Sequence, residues 1–350
     1  EQKLAVIGKY AKKPRFQGGG SSHINCHKVT AFLDCLEEGM DYVYAQGYDD
    51  DRDEINEQMI TEAVEAAKDA AVAVIFAGLP DNFESEGYDR KHMRMPDCQN
   101  ELIRRVTEVQ KNVIVILHNG SPVEMPWISE VKGVIEAYLG GQAVGGAEYD
   151  VLFGRINPSG KLSETFPLKL SDNPSYLNFP GGQDTVEYKE GIFVGYRYYD
   201  FKEMDVLFPF GYGLSYTDFA YSNLKLDKET MKDSDTLTVS VDVTNTGKMA
   251  GKEVVEVYVR DLESSAVRPV RELKEFAKVA LEPGETKTVT FALSKRAFAY
   301  YEPKVHDFYV EPGDFLVEIG RSSRDIVLSE KVTVTGTYLL ADHYDENSLI

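Results

Sequence analysis

The stretch Ala71-Val72-Ala73-Val74-Ile75-Phe76-Ala77 decides the fold. Seven apolar residues end at Gly78-Leu79-Pro80, with no polar residue at alternate positions. That pattern predicts a strand buried on both faces, the kind found in parallel sheets covered by helices on each side. The flanking sequence agrees. Leu4–Ile7 reads as a strand ending at Gly8, residues 40–45 as a short strand, and Val113–Leu117 and Val134–Leu139 as two more. Between them, helical spacing predicts helices over 29–38 with Gly39 as C-cap, 54–69, 98–109 and 143–153. Strands alternating with helices give an α/β three-layer sandwich with a mostly parallel sheet.

Behind strand 71–77 comes Phe83-Glu84-Ser85-Glu86-Gly87-Tyr88-Asp89-Arg90. It holds three carboxylates, one guanidinium and two aromatic rings within eight residues. Loops leaving the carboxyl ends of parallel strands are where open α/β sheets bind ligands. Gly87 permits a sharp turn that projects Glu86 outward. Partial burial beside Phe83 and Tyr88 would raise a carboxyl pKa and make it a proton donor. An Arg close to Glu86 would oppose that, so Arg90 is expected to point away, toward Asp89 or a backbone carbonyl. In an acidic chain the alternative is a plain acidic surface loop.

From about residue 217 the pattern becomes all-β. Leu237–Val243 alternates with period two, and Val254–Val259, Thr286–Leu293, Phe315–Ile319 and Ile326–Val334 follow, with turns at Asn245-Thr246-Gly247, Pro283-Gly284 and Pro312-Gly313. These predict a fibronectin type III-like sandwich of seven strands. The expected organisation is therefore 1–166 α/β sandwich, 167–216 an aromatic and Pro-rich strap, 217–336 fibronectin type III-like domain, and 337–350 a tail. The strap holds Phe193, Tyr196, Tyr198, Tyr199 and Phe201, rings that suit packing against other domains better than a floppy linker.

The 350 residues suffice for two domains with separate cores. A formal net charge of −20 argues against nucleic acid or an anionic membrane surface as a partner, and suits a neutral ligand. No apolar run reaches the roughly 20 residues of a membrane span. Three cysteines, Cys26, Cys35 and Cys98, imply no disulfide framework. A reducing, cytoplasmic setting is the simpler expectation.

Other local patterns lead less far. Gly18-Gly19-Gly20-Ser21-Ser22 could cradle an anion with backbone N–H groups, yet matches neither the dinucleotide nor the P-loop spacing. His23 and His27 stand four apart, but Ile24 occupies the place of a zincin base, so no metal or other cofactor is expected. Asp49-Asp50-Asp51-Arg52-Asp53 resembles a calcium loop superficially, with Glu54 and Ile60 at the positions that should be Gly and Glu. It reads as a solvated loop whose Asp53 caps the following helix. Trp127, the single tryptophan, reads as a ring packed at a helix start rather than a sugar platform. Asn119-Gly120-Ser121 is a formal glycosylation sequon at a strand end facing the interior.

Taken in order, several motifs point one way. They are Arg15–His23 (RFQGGGSSH), Glu84–Arg90 (ESEGYDR), Asn119–Trp127 (NGSPVEMPW), Gly140-Gly141-Gln142, Asp150–Gly154 (DVLFG), Asn157–Lys161 (NPSGK) and Phe208–Tyr216 (FPFGYGLSY). Together they resemble the C-terminal half of family 3 glycoside hydrolases of the β-glucosidase type, over about residues 1–335. The resemblance implies a general acid/base glutamate on a loop of this α/β domain. That role falls on Glu86, which precedes Gly-Tyr, with Glu84 as second choice. It also implies a nucleophilic aspartate on a (β/α)8 barrel domain that has no counterpart here. The barrel would lie N-terminal, or C-terminal in a permuted enzyme. The mechanism would be retaining, with carboxyls roughly 5–5.5 Å apart. The substrate would be a β-glucoside or short oligosaccharide, contacted at the site's rim by Arg15, Gln17, Ser21, Ser22, Phe83 and Tyr88. The alternative from another class is a non-catalytic carbohydrate-binding or scaffold module of the same fold. A third, an unrelated α/β enzyme placing a phosphate in the glycine loop, has only Gly18–Ser22 behind it.

Overall fold

The architecture is that of a computed structural model, and residues 3–182 and 184–336 are described. The expected tail, 337–350, lies outside the described residues. Contacts divide the chain into two units. One runs from the N-terminus to Ile156 and takes in Leu168–Asn173. The other holds Asn157–Pro167 and the chain from Pro174 onward.

In the first unit, strands β1 (Leu4–Ile7), β2 (Tyr42–Ala45), β3 (Val72–Gly78), β4 (Val113–His118) and β5 (Gly133–Glu136) form one sheet in the order β2-β1-β3-β4-β5. Every pairing is parallel, with Leu4 opposite both Tyr42 and Val72, and Ala73 opposite Val113. The sheet faces two ways. Val6, Val74, Phe76 and Ile116 pack with Phe32 and Tyr149, and the latter lies on helix α3 (Val144–Leu152). The alternate residues Ile7, Ile75 and Leu117 are also fully buried, pointing to the opposite face. There α1 (Glu57–Lys68) and α2 (Asp97–Val109) run side by side and cover the sheet with Ile60, Ala63, Leu102, Ile103 and Val106.

The helix expected over 29–38 is only a 3-10 turn, Phe32–Cys35. Its apolar spacing is helical, but tertiary contacts claim the backbone. Thr30 N–H donates to Gln142 carbonyl and Gly145 N–H donates to Thr30 carbonyl, at 2.9 and 3.1 Å. Any Cβ at Gly145 would lie 2.2 Å from the Ala31 carbonyl carbon, so this strip of chain runs against the start of α3. Groups that bond there cannot close a local α-helix.

The Asp49–Asp53 segment also departs from expectation. Asp50 is buried, accepting from Tyr10 Oη at 2.5 Å, and Lys9 Nζ lies 2.9–3.1 Å from carboxylates of Asp49, Asp50 and Asp51. Asp53 does not cap the helix that follows. Asn56 does, accepting from Met59 N–H, while Asp53 accepts from Cys98 N–H at the start of α2, where Pro96 offers no side-chain cap. Trp127 is buried, as expected, donating to Asn100 Oδ1 at 3.0 Å, and Asn119 is fully buried.

In the second unit, the short strands β6 (Phe166–Pro167) and β7 (Val206–Phe208) pair antiparallel. The sandwich then follows. One sheet orders β13-β10-β8, and the other β12-β11-β16-β17-β9. The strands are β8 (Phe219–Leu226), β9 (Thr230–Lys232), β10 (Leu237–Asn245), β11 (Gly251–Asp261), β12 (Glu272–Leu281), β13 (Thr286–Leu293), β16 (Gly313–Ser322) and β17 (Asp325–Thr335); β14 (Tyr300–Glu302) and β15 (Asp307–Tyr309) form a small separate hairpin. Among the described residues the two sheets hold eight strands against the seven expected. Leu237, Val239, Val241 and Val243 alternate inward against Val255, Val257, Phe315 and Ile319. The aromatic strap packs on this sandwich. Tyr196 stacks on Phe210, and its hydroxyl accepts from Leu273 N–H at 2.8 Å. Among the described residues no helix is long and apolar enough to cross a membrane, and the three cysteines are unpaired.

Candidate active site

Because the first sheet is wholly parallel, the loops leaving β1, β3 and β4 emerge at one edge. The strand order reverses direction between β1 and β3, the topological switch point where open α/β sheets bind ligands. The Gly18–Ser22 loop follows β1, the Phe83–Arg90 loop follows β3, and Asn119-Gly120-Ser121 follows β4.

Glu84 ties the three loops together. Its Oε2 accepts from Arg15 Nη1 at 2.8 Å and Gly120 N–H at 2.7 Å, and its Oε1 accepts from the Ser121 hydroxyl. Arg15, 7% exposed at its side chain, also donates through Nη2 to the Glu84 carbonyl and through Nε to Asp81. Burial alone would raise the Glu84 carboxyl, but the Arg15, Ser121 and Gly120 donors outweigh it and hold it below the usual range. A carboxylate so enclosed in donors is an anchor.

Glu86 is its opposite. The side chain is exposed, on a loop turned by Gly87 at φ +94°. Glu86 N–H reaches the Gly19 carbonyl at 3.5 Å. The Ser21 hydroxyl and Ser21 N–H both converge on Oε2 at 2.5 Å. Those two bonds hold the carboxyl below its ordinary pKa. The expected rise from partial burial is therefore absent in this chain, because neither Phe83 nor Tyr88 encloses the group. Phe83 packs edge-on against His92, and the Tyr88 hydroxyl donates to the Asp81 carbonyl. Arg90 does turn away from Glu86. It donates to the Pro122 carbonyl at 3.0 Å and the Ser121 hydroxyl at 2.6 Å.

The remaining residues proposed for the rim sort as follows. Gln17 closes its own loop, donating to the Ile24 carbonyl and accepting from Ile24 N–H. Ser22 is exposed beside Ser21. Arg15 is committed to Asp81 and Glu84. Behind them lies a buried pair that sequence reading missed. His118 Nε2 sits 2.9 Å from Glu148 Oε1, and His118 Nδ1 is 3.2 Å from the Arg15 carbonyl. The clue was present, since His118 ends a strand whose exit loop must share an edge with Glu86. The acidic group able to gather a cation among the described residues is Asp49, Asp50 and Asp51, and Lys9 already sits among them.

The fold and site define a two-part class of chain, a parallel α/β domain that displays a carboxylate at its switch point, followed by a fibronectin-like sandwich. The comparisons give the family. Residues 1–216 match the glycosyl hydrolase family 3 C-terminal domain, and residues 253–323 match a fibronectin type III-like domain. The chain belongs to glycosyl hydrolase family 3, as the C-terminal part of that architecture. It is 58% identical to thermostable beta-glucosidase B of Acetivibrio thermocellus over 99% of its own length and 46% of that protein's. It is 47% identical to the exo-alpha-(1->6)-L-arabinopyranosidase of Bifidobacterium breve, over 95% of its length and 44% of that protein's. Among solved structures, a Bifidobacterium adolescentis GH3 beta-glucosidase superposes with a TM-score of 0.91 at 45% identity, covering 95% of this chain and 49% of that one. The chain thus spans about half the length of the relatives it matches.

Proposed function

We propose that this chain is the C-terminal portion of a retaining β-glucosidase-like enzyme and that Glu86 is its general acid/base. The supporting observation is the contrast between two carboxylates two residues apart. Glu84 is locked by Arg15, Gly120 and Ser121, whereas Glu86 stands exposed at the switch-point edge, held through Oε2 alone. Among the described residues, Oε1 takes no hydrogen bond and is the atom that carries the proton.

In the first step Glu86 Oε1–H gives its proton to the glycosidic oxygen while an aspartate of a (β/α)8 barrel domain attacks the anomeric carbon. The aglycone leaves as the alcohol. In the second step the Glu86 carboxylate takes a proton from water, whose oxygen displaces the aspartate from the anomeric carbon. Docking of the barrel and a β-glucoside would bury Glu86 and supply the upward pKa pressure that the chain alone lacks. The acidic surface suits a neutral sugar and neither nucleic acid nor an anionic membrane surface.

The test compares the purified 350-residue chain with the same chain joined to a family barrel, on aryl β-glucosides. The chain alone shows no turnover, because the nucleophile is missing. In the joined enzyme Glu86→Ala slows poor leaving groups by about 10²–10⁴-fold. Azide restores turnover, trapping the glycosyl-enzyme as glycosyl azide. An unimpaired Glu86→Ala would assign the acid/base role elsewhere. Sugar binding without hydrolysis by the joined protein would favour the non-catalytic module.

A further inference from the structure

The oxygen of Glu86 that faces the glycine loop meets two donors from a single residue. Ser21 N–H and Ser21 Oγ both reach Oε2 at 2.5 Å. The approach is close enough that a Cβ on Gly20, at φ +98°, would lie 2.4 Å from that same oxygen. Glu86 N–H completes the clasp on the Gly19 carbonyl. Among the described residues no other hydrogen bond holds this side chain, and the charged and polar groups of the neighbouring loops are engaged elsewhere. Arg15 is on Asp81 and Glu84, Arg90 is on Ser121 and Pro122, the Tyr88 hydroxyl is on the Asp81 carbonyl, and His23 is beside Gln17. Asp89, exposed three positions further along the same loop, is the other carboxylate beside Glu86.

We propose that Ser21 is the positioning residue for the acid/base, fixing Oε2 of Glu86 so that Oε1 alone exchanges the proton with glycosidic oxygen and water. This rests on the acid/base reading of Glu86. The chemistry explains why such a clasp is useful. A retaining acid/base must be neutral in the first step and ionised in the second. Docking favours the neutral form by burial, and the Ser21 donors favour the ionised form. The two act in opposite directions on the same carboxyl. A purely structural loop would leave that balance untouched when Ser21 changes.

Two measurements test it. In the 350-residue chain, carbon NMR of labelled glutamates, assigned with Glu86→Gln, reads the Glu86 titration directly. Ser21→Ala removes the hydroxyl and is expected to raise the midpoint by about one pH unit. Ser21→Thr, which keeps the hydroxyl, restores it. In the unmodified chain the Ser21 amide signal titrates with the same midpoint, and Glu86→Gln abolishes that. This readout needs no variant at Ser21 and decides the matter if Ser21→Ala does not fold. A Ser21 amide that ignores the titration, or a folded Ser21→Ala with an unchanged midpoint, overturns the proposal. In the barrel-joined enzyme, the alkaline limb of kcat/KM moves up by the same amount in Ser21→Ala and returns in Ser21→Thr. If the NMR midpoint moves while that limb stays, Glu86 is not the acid/base, and Ser21's place in the reaction falls with it.

Discussion

At the scale of single residues, the site is organised by what each carboxylate touches. Glu84 and Glu86 flank Ser85 on one loop, and in the sequence only the motif ranks Glu86 ahead of Glu84. Their environments separate them. Arg15 and Glu84, with side chains 7% and 16% exposed, form the pair that binds the β1 loop to the β3 loop. Removing one partner leaves an uncompensated buried charge, which costs far more than the pair itself contributes. Arg15→Met is expected to lower stability of the α/β unit by about 2–4 kcal/mol. The double variant Arg15→Met/Glu84→Gln should recover part of that loss, with a coupling of about 1 kcal/mol or more. Trp127 makes the measurement clean. It is the single tryptophan of the chain and is 4% exposed in the core of this unit, so its fluorescence during denaturation reports this unit and not the sandwich. Additive single effects in that cycle would show that the pair is not the clamp.

At the scale of elements, local signals dominate where nothing distant competes. Helix α1 begins at Glu57 because Asn56 accepts from Met59 N–H at 3.1 Å, satisfying an N–H that no helical carbonyl can reach. Asn56→Ala should cost about 1 kcal/mol, read by the same fluorescence transition, while Asn56→Ser should be nearly neutral. An Asn56→Ala variant as stable as the parent would mean that α1 is held by its buried face alone. The buried strands were legible for the same reason. Val72–Ala77 and Val113–Leu117 are continuous apolar runs of strand length, rich in β-branched residues and shorter than a typical helix. What was not legible depends on partners far along the chain. Residues 29–38 carry a helical spacing, yet Thr30 bonds to Gln142 and Gly145, over a hundred residues away. Asp53 stands next to one helix and caps another, because Pro96 leaves the start of α2 without a side-chain acceptor. Within the site, the motif pointed to Glu86 as the leading candidate. Ser21 was named as a rim contact with sugar, but its bond to Glu86, which spans 65 positions, was not visible.

At the scale of the whole molecule, the chain carries 58 Asp and Glu side chains, and three that are buried or partly buried show two opposite behaviours. Glu84, and in the second unit Glu272, are partly buried yet held below the ordinary range. Burial pushes them up, and their partners more than reverse it, Arg15 with the Ser121 and Gly120 donors for Glu84, and Lys274, Arg268 and Arg197 for Glu272. Such groups contribute stability that is present above the unfolded pKa and is lost as pH falls through the folded one. Glu256 on β11 runs the other way. It is 3% exposed, and burial raises it from 4.5 to about 7, although the Tyr258 hydroxyl donates to it at 2.6 Å and Lys161 also lowers it. Its folded pKa exceeds its unfolded one, so the folded state binds a proton that the unfolded state has released. Its contribution is then fully present below about pH 4.5 and is lost as pH rises through about 7. A shift of that size corresponds to a loss of up to about 3 kcal/mol from the sandwich. Glu256→Gln keeps an acceptor for Tyr258 without a proton to lose. The sandwich of the parent, followed by near-ultraviolet circular dichroism of its tyrosines, should therefore weaken between pH 5 and pH 8, and the variant should not. At pH 8 Glu256→Gln should be the more stable protein, and at pH 4.5 the two should match. Parallel pH profiles for parent and variant would place the Glu256 proton outside the folding equilibrium and refute its assignment as a buried neutral acid.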